Sequence, residues 1–171
     1  ESGVSSMKQS ILSILVDKTA GVLSRVSGLF SRRGYNIDSL TVGVTADPRY
    51  SRMTVVCSGD DQVLEQITKQ LNKLVDVRDI KVLEPDSSVS RELILVKVRV
   101  SKENRQNVTA ITDIFRANVI DVGLDSMVIE LTGSKSKLEA FLNLMGDGNE
   151  ILEIARTGIT GLSRGSDYVL F

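Results

Sequence analysis

A chain of 171 residues, 42% hydrophobic and 25% charged with a net charge of −1, has the composition of a soluble globular protein of one domain or two small ones. It has no histidine and a single cysteine, Cys57, so an internal disulfide, a zinc site and the usual imidazole proton shuttle are excluded. No apolar run approaches the roughly 18 residues of a membrane-spanning helix, the N-terminus Glu1-Ser2-Gly3-Val4 does not read as a secretory signal, and a reducing cytoplasm is the expected compartment.

In chain order, residues 11–16 form a short apolar run of strand length. From Gly21 to Arg33 the apolar positions Val22, Leu23, Val26, Leu29 and Phe30 recur as one helix face. Gly34 is the expected stop, with Arg32 and Arg33 in the last turn complementing the helix dipole. Leu40, Val42 and Val44 alternate in a strand over 35–46, Asp47-Pro48 marks a turn, and residues 51–58, with Cys57 as a small buried hydrophobe, form the returning strand. A second helix follows Gly59 with an Asp at its cap and a face of Val63, Leu64, Ile67, Leu71 and Leu74. Residues 75–83 make the last strand before Pro85.

Strand, helix, strand, strand, helix, strand is the split-βαβ order, so the fold class is α+β with a ferredoxin-like βαββαβ unit. Its sheet has one face covered by two helices and one face free, to be covered, solvated or used in assembly. Residues 91–156 repeat the order, with a strand at 94–100, a helix face at Val108, Ile111 and Phe115, strands at 119–124 and 127–131, a helix face at Leu138, Phe141, Leu142 and Met145, and a strand at 151–155. Gly59 precedes Leu64-Glu65 at the offset by which Gly133 precedes Leu138-Glu139. The expected organisation is a domain over 8–84, a polar linker over 85–90 and a second ferredoxin-like domain over 91–165, with an apolar end at Tyr168-Val169-Leu170-Phe171.

Gly21 is the informative residue. A helix N-terminus carries unpaired N–H groups and a partial positive charge, and a glycine there lets a carboxylate touch bare backbone. Asp17, four residues earlier, offers a partner for an ammonium group, so the turn suits an amino acid. Ordinary turn chemistry explains the same glycine. Ser134-Lys135-Ser136-Lys137 has the S-x-x-K spacing but no companion motif, and reads as a polar turn with Ser136 and Glu139 as a capping box. RNA recognition on this fold needs stacked aromatics, whereas the central strands carry Leu40, Val42, Met53, Val55 and Cys57. No constellation of acid, base and nucleophile points to an enzyme.

The run Gly21-Val22-Leu23-Ser24-Arg25-Val26, continued by Gly28-Leu29-Phe30-Ser31-Arg32-Arg33-Gly34-Tyr35-Asn36-Ile37-Asp38-Ser39-Leu40-Thr41-Val42, resembles the regulatory (small) subunit of acetohydroxyacid synthase, also called acetolactate synthase. Lys73-Leu74-Val75-Asp76-Val77, Arg91-Glu92-Leu93, Ile114-Phe115-Arg116, Lys137-Leu138-Glu139-Ala140-Phe141 and Ala155-Arg156-Thr157-Gly158 extend the likeness over about residues 8–165.

The resemblance implies two ferredoxin-like domains, the N-terminal one an ACT domain for effector binding and dimerisation. It implies a non-catalytic subunit of branched-chain amino acid biosynthesis that activates the catalytic subunit and confers feedback inhibition by valine or a related amino acid. The chain itself would bind no cofactor; its partner would carry thiamine diphosphate, Mg and FAD. The effector would lie between two ACT domains of a homodimer, contacting Asp17, Lys18, Gly21, Val22 and Leu23 of one chain, with Asn36 holding the head group and Ile37 the side chain. Lys18 stands where the family commonly has asparagine, which bears on the affinity and identity of the effector. The second reading is a stand-alone ACT-type amino-acid sensor acting on another enzyme.

Overall fold

The structure is a computed structural model that describes residues 8–166; the two expected terminal features, Glu1–Val4 and the apolar end Tyr168–Phe171, lie outside the described residues. The chain divides into two compact units. One runs to Ser90 and resumes at Ile159, and the other is Arg91–Gly158.

In the first unit the elements are β1 (Lys8–Asp17), α1 (Val22–Arg33), β2 (Asn36–Val44), β3 (Tyr50–Gly59), α2 (Asp61–Asn72) and β4 (Val77–Leu83). The sheet is antiparallel in the order β2-β3-β1-β4, leaving β2 and β4 as edges. Alternation assigns the faces. Leu12, Ile14 and Val16 lie opposite Val55, Met53 and Ser51, and these apolar residues form one core with Val22, Val26, Leu29 and Phe30 of α1 and Ile67 and Leu71 of α2. Both helices therefore cover the same face, as the split-βαβ order requires.

Helix ends follow local chemistry. Asp60 caps α2, its side chain accepting the Val63 N–H at 2.8 Å. Gly34 closes α1 in the left-handed region at φ 68°, its N–H directed to the Phe30 and Ser31 carbonyls, and Tyr35 then packs edge-on against Phe30.

The expected linker holds a 3-10 turn, Pro85–Ser87, and the first residues of β5 (Ser88–Arg99). A strand the periodicity does not reveal, β9 (Thr160–Ser163), pairs with β5. Beside it the Ile159 N–H donates to Ser39 Oγ at 2.8 Å, and Thr41 Oγ1 donates to the Ile159 carbonyl at 3.4 Å. Ser39 and Thr41 face away from the helices, being opposite Val56 and Thr54, so part of the expected free face is covered by the returning chain.

The second unit contains α3 (Arg105–Ile114), β6 (Asn118–Val122), β7 (Ser126–Gly133), α4 (Lys135–Gly146) and β8 (Ile151–Arg156), with strand order β6-β7-β5-β8. Its core joins Ile94, Val96 and Val98 to Val108, Ile111, Leu138, Phe141 and Met145. Phe115 meets Phe141 edge-on at 5.4 Å. The cap of α4 is Ser134 rather than the Ser136–Glu139 box: Ser134 Oγ accepts the Lys137 N–H. The S-x-x-K spacing is therefore helix capping. The α+β class with two βαββαβ units is the observed fold.

Candidate functional site

The turn from β1 to α1 is built around a glycine that no other residue replaces freely. Gly21 sits at φ 82°, in the left-handed region, immediately before the helix. The backbone conformation alone therefore favours glycine, whatever the turn binds. Around it the chain is pinned. The Lys18 N–H donates to the Arg49 carbonyl at 2.9 Å and the Asp17 N–H to the Asp76 carbonyl at 2.8 Å. Arg25, one turn into α1, reaches back to donate through Nη2 to the Ala20 carbonyl at 3.2 Å and through Nε to Asp76 at 2.5 Å. Thr19 Oγ1 donates to the other Asp76 oxygen at 3.3 Å. The N–H groups of Gly21 and Leu23 find no acceptor among the described residues, which leaves these first-turn donors open.

The acidic residues at this end are already matched. Asp17 takes a two-pronged pair from Arg78, both contacts at 2.7 Å. Asp76, only 7% exposed, is held below the usual carboxylate range, first by the hydrogen bond from Arg25, with burial opposing. Sequence reasoning proposed Asp17 as the ammonium partner; here its carboxylate serves Arg78. The roles of Arg25, Asp76 and Arg78 were missed, although Arg25 and Asp76 stand inside the quoted motifs, because a salt bridge 51 residues apart in sequence leaves no periodic signal.

The remaining predicted residues divide by exposure and by place. Lys18 is exposed. Val22 is buried in the α1 core face, so what it offers a ligand is backbone, whereas Leu23 is 45% exposed and offers a side chain. Asn36 and Ile37 lie at the other end of the sheet. Asn36 opens β2 opposite Ser58, while Asp17 closes β1 opposite Tyr50. The eight steps of β3 from Tyr50 to Ser58 correspond to about 27 Å of strand. One chain thus brings Asp17, Lys18, Gly21, Val22 and Leu23 together and holds Asn36 and Ile37 apart from them. Ile37 packs partly against the core. Asn36 Nδ2 donates to Asp38 at 2.9 Å. Cys57, opposite Ile37, is buried, and that burial with the Asp38 charge pushes its thiol up, which makes it a packing residue.

The matching turn of the second unit, between β5 and α3, is Ser101-Lys102-Glu103-Asn104 and has no glycine. Asn104 Oδ1 accepts the Ser101 N–H at 2.7 Å, and Arg105 reaches over to the carbonyls of Gly123 and Leu124. That turn is closed by its own side chains. Among the described residues no cluster of three His, Cys, Asp or Glu side chains is placed to hold a metal ion, and no helix is long and apolar enough to cross a membrane.

Comparison with known proteins accounts for nearly all of the chain. Residues 12–79 match the AHAS small subunit-like ACT domain, and residues 91–165 match the small subunit of acetolactate synthase. The probable acetolactate synthase small subunit of Methanothermobacter thermautotrophicus is 50% identical over 157 residues, 91% of this chain and 93% of that protein. The acetolactate synthase isozyme 3 small subunit of Escherichia coli is 51% identical over 155 residues, 91% of this chain and 95% of its own. The crystal structure of the small subunit from Thermotoga maritima superimposes with a TM-score of 0.85 at 41% identity, covering 94% of this chain and 99% of that one. With an ACT domain in its first half, a second half that matches the same family, and relatives at this identity over almost their whole length, the chain belongs to the family of acetolactate synthase small subunits.

Proposed function

We propose that this chain is the non-catalytic regulatory subunit of an acetolactate synthase, that it raises the activity of the catalytic subunit, and that it carries feedback inhibition by a branched-chain amino acid, valine foremost. The observation that carries the effector reading is the separation of Gly21 and Asn36 at opposite ends of one antiparallel sheet. A single chain leaves each half of the contact set alone. A second copy related by a twofold axis beside edge strand β2 sets the start of one β2 against the end of the other, so Asn36 of one chain approaches the Gly21 turn of its neighbour. Two equivalent effector sites then form between two ACT domains. The region 8–84 serves dimerisation and effector binding, and 91–165 forms the companion domain.

In that site the open N–H groups of the Gly21 turn receive the effector carboxylate, Leu23 and Ile37 bracket the aliphatic side chain, and Asn36 offers its carboxamide oxygen to the ammonium group. Lys18 adds a cation beside the carboxylate. The chain binds no cofactor of its own; the catalytic partner carries thiamine diphosphate, Mg and FAD, and the complex works in the cytoplasm. Coupling is reciprocal: the catalytic partner alters effector affinity by the factor by which effector alters association. The deciding experiment is an activity titration of the cognate catalytic subunit with this chain, with and without valine, leucine and isoleucine. Stimulated acetolactate formation that valine suppresses is the expected result. Absence of stimulation overturns the regulatory reading and favours a sensor acting on another enzyme.

A further inference from the structure

The chain passes from the second unit back to the first at Gly158–Ile159, and Gly158 makes the bend in the left-handed region, at φ 92°. Before the bend Thr157 is tied to β5: its N–H donates to the Leu93 carbonyl at 3.1 Å, and its Oγ1 accepts the Leu93 N–H at 3.1 Å. After the bend β9 pairs with β5. There the Arg164 N–H donates to the Ser87 carbonyl at 2.8 Å, and Gly161 sits so close that a Cβ on it would stand 2.9 Å from the Val89 carbonyl oxygen. Ile159 lies between these two anchorages and outside both β8 and β9. Its backbone groups both go to side chains of β2, the N–H to Ser39 Oγ at 2.8 Å and the carbonyl to Thr41 Oγ1 at 3.4 Å. A segment held by two hydroxyls can be gripped or released without breaking a strand ladder.

Ser39 and Thr41 are alternate residues of one strand, so their hydroxyls share the face turned away from the helices. Ser39 is also the first paired residue after the bulge, where the register of β2 with β3 shifts between Ile37 and Ser39. Where the Ser39 hydroxyl stands therefore depends on how the bulge is set. Asn36 and Ile37, on the other side of the same bulge, are the effector contacts proposed above. A ligand that fixes them fixes the bulge, and with it the acceptor of the Ile159 N–H. We infer that the Ile159 backbone, clipped to Ser39 and Thr41, is the transmission element of this subunit: an effector held at the start of β2 tightens the clip, and the clip restrains the chain that leads through Gly158 into residues 91–158. The inference rests on the effector-site reading above and adds the route by which occupancy of the ACT unit reaches the second unit. Allosteric coupling shifts an equilibrium by about 5- to 150-fold, which is the range two net hydrogen bonds supply.

Amide hydrogen exchange of the full chain, read at Ile159 with and without saturating L-valine, tests it beside calorimetry of valine binding and an activity titration of the cognate catalytic subunit. In the wild type valine is expected to slow exchange at Ile159 by about tenfold. Ser39→Ala removes the acceptor. Its Ile159 amide is expected to exchange fast whether or not valine is bound. By reciprocity its valine affinity falls by no more than the factor by which valine slows the wild-type amide. The variant still stimulates the catalytic subunit, and valine no longer inhibits it. Should Ser39→Ala fail to fold, Thr41→Val removes the other hydroxyl at nearly constant volume and is expected to give the same uncoupling in weaker form. Three results overturn the inference and leave the effector site standing: wild-type exchange at Ile159 that valine does not change, a folded Ser39 variant that valine inhibits as it does the wild type, or one that no longer binds valine at all, which would place Ser39 in the site itself. A clip that only holds the fold would speed Ile159 exchange equally with and without valine and leave inhibition intact, which is the second of these. No binding of valine to the wild-type chain overturns both readings.

Discussion

Arg25 Nε lies 2.5 Å from the carboxylate of Asp76, and that one ion pair joins the first helix of the ACT unit to the start of its last strand. Asp76 also receives Thr19 Oγ1, and its backbone carbonyl accepts the Asp17 N–H, so it fastens the turn at both ends. Its folded carboxyl titrates below the usual value because Arg25 hydrogen-bonds the ionised form, with the charges of Arg25 and Arg78 and the Thr19 hydroxyl adding to this against the cost of burial. A depressed folded value stabilises above the unfolded value, about 3.9 for aspartate, and the contribution is lost as pH falls from there through the folded value. The melting temperature of the wild type is therefore expected to exceed that of Asp76→Asn at neutral pH, with the gap closing at acid pH below that window. A gap that stays constant with pH would mean the ion pair contributes through shape alone.

Gly21 separates two effects that the sequence alone leaves fused. A Cβ at φ 82° is strained, and it would stand 3.0 Å from Arg25 Nη1, a group already tied to Asp76 and Ala20. Gly21→Ala is expected to lower unfolding free energy by about 1–2 kcal/mol in urea titrations, and Gly21→Asn by less, because asparagine tolerates the left-handed region. Gly21→Asp adds a negative charge where the effector carboxylate should lie, and is expected to weaken valine by at least about tenfold beyond the alanine variant. Equal valine affinity in the alanine and aspartate variants, measured by calorimetry, would reduce Gly21 to turn chemistry.

The parts of the molecule legible in the sequence are those with a period. Val22, Val26, Leu29 and Phe30 announce α1, the alternation through Leu12, Ile14 and Val16 announces β1, and the repeat of both patterns announces the second unit. The Gly21 turn was legible as a place, through one residue type at one position. What the turn is made of was not. The Arg25–Asp76 and Arg78–Asp17 pairs join residues 51 and 61 apart, and nothing local distinguishes those arginines from solvated ones. β9 was illegible because four residues with a glycine among them, Thr160-Gly161-Leu162-Ser163, are too short to show alternation. The bulge at Asp38 was illegible for the converse reason: it interrupts the alternation that marks β2, and only the partner strand shows the shift.

The internal repeat makes a paired test of packing. Gly59 and Gly133 occupy matching positions before α2 and α4. A Cβ on Gly59 would meet Val63 Cγ1 at 2.7 Å and Val63 Cβ at 2.9 Å, whereas on Gly133 the 2.7 Å contact is Lys137 Cδ, on a flexible chain. Valine has no rotamer that moves its Cβ, so the backbone must yield. Gly59→Ala is expected to cost about 1–3 kcal/mol, as overpacking does. Gly133→Ala is expected to be near neutral, since Lys137 swings aside and the unfolded chain loses about 0.4–1 kcal/mol of conformational freedom. Denaturant midpoints of the two variants give the comparison directly; a costlier Gly133→Ala would show that the Lys137 stem is packed rather than free to move.

The repeat also exposes a conflict that one substitution can relieve. The first helix of the first unit ends at Gly34, whose φ of 68° suits glycine, and the first helix of the second unit ends at Arg116, the described non-glycine residue with positive φ, at 56°. Gly34 comes four residues after Phe30 and Arg116 directly after Phe115, both phenylalanines packing in their cores, and at each helix end a backbone N–H turns back to the last carbonyls, that of Arg116 reaching the Asp113 carbonyl at 3.1 Å. The left-handed region costs a residue with a Cβ roughly 1–2 kcal/mol relative to glycine, and the greater freedom of glycine in the unfolded chain returns about half of that. Arg116 is exposed and forms no ion pair among the described residues, so little else is lost with its side chain. Arg116→Gly is therefore expected to stabilise the protein by about 0.5–1 kcal/mol, read as a higher denaturant midpoint at unchanged slope. A lower midpoint would mean that the arginine side chain contributes more in the folded state than its exposure suggests.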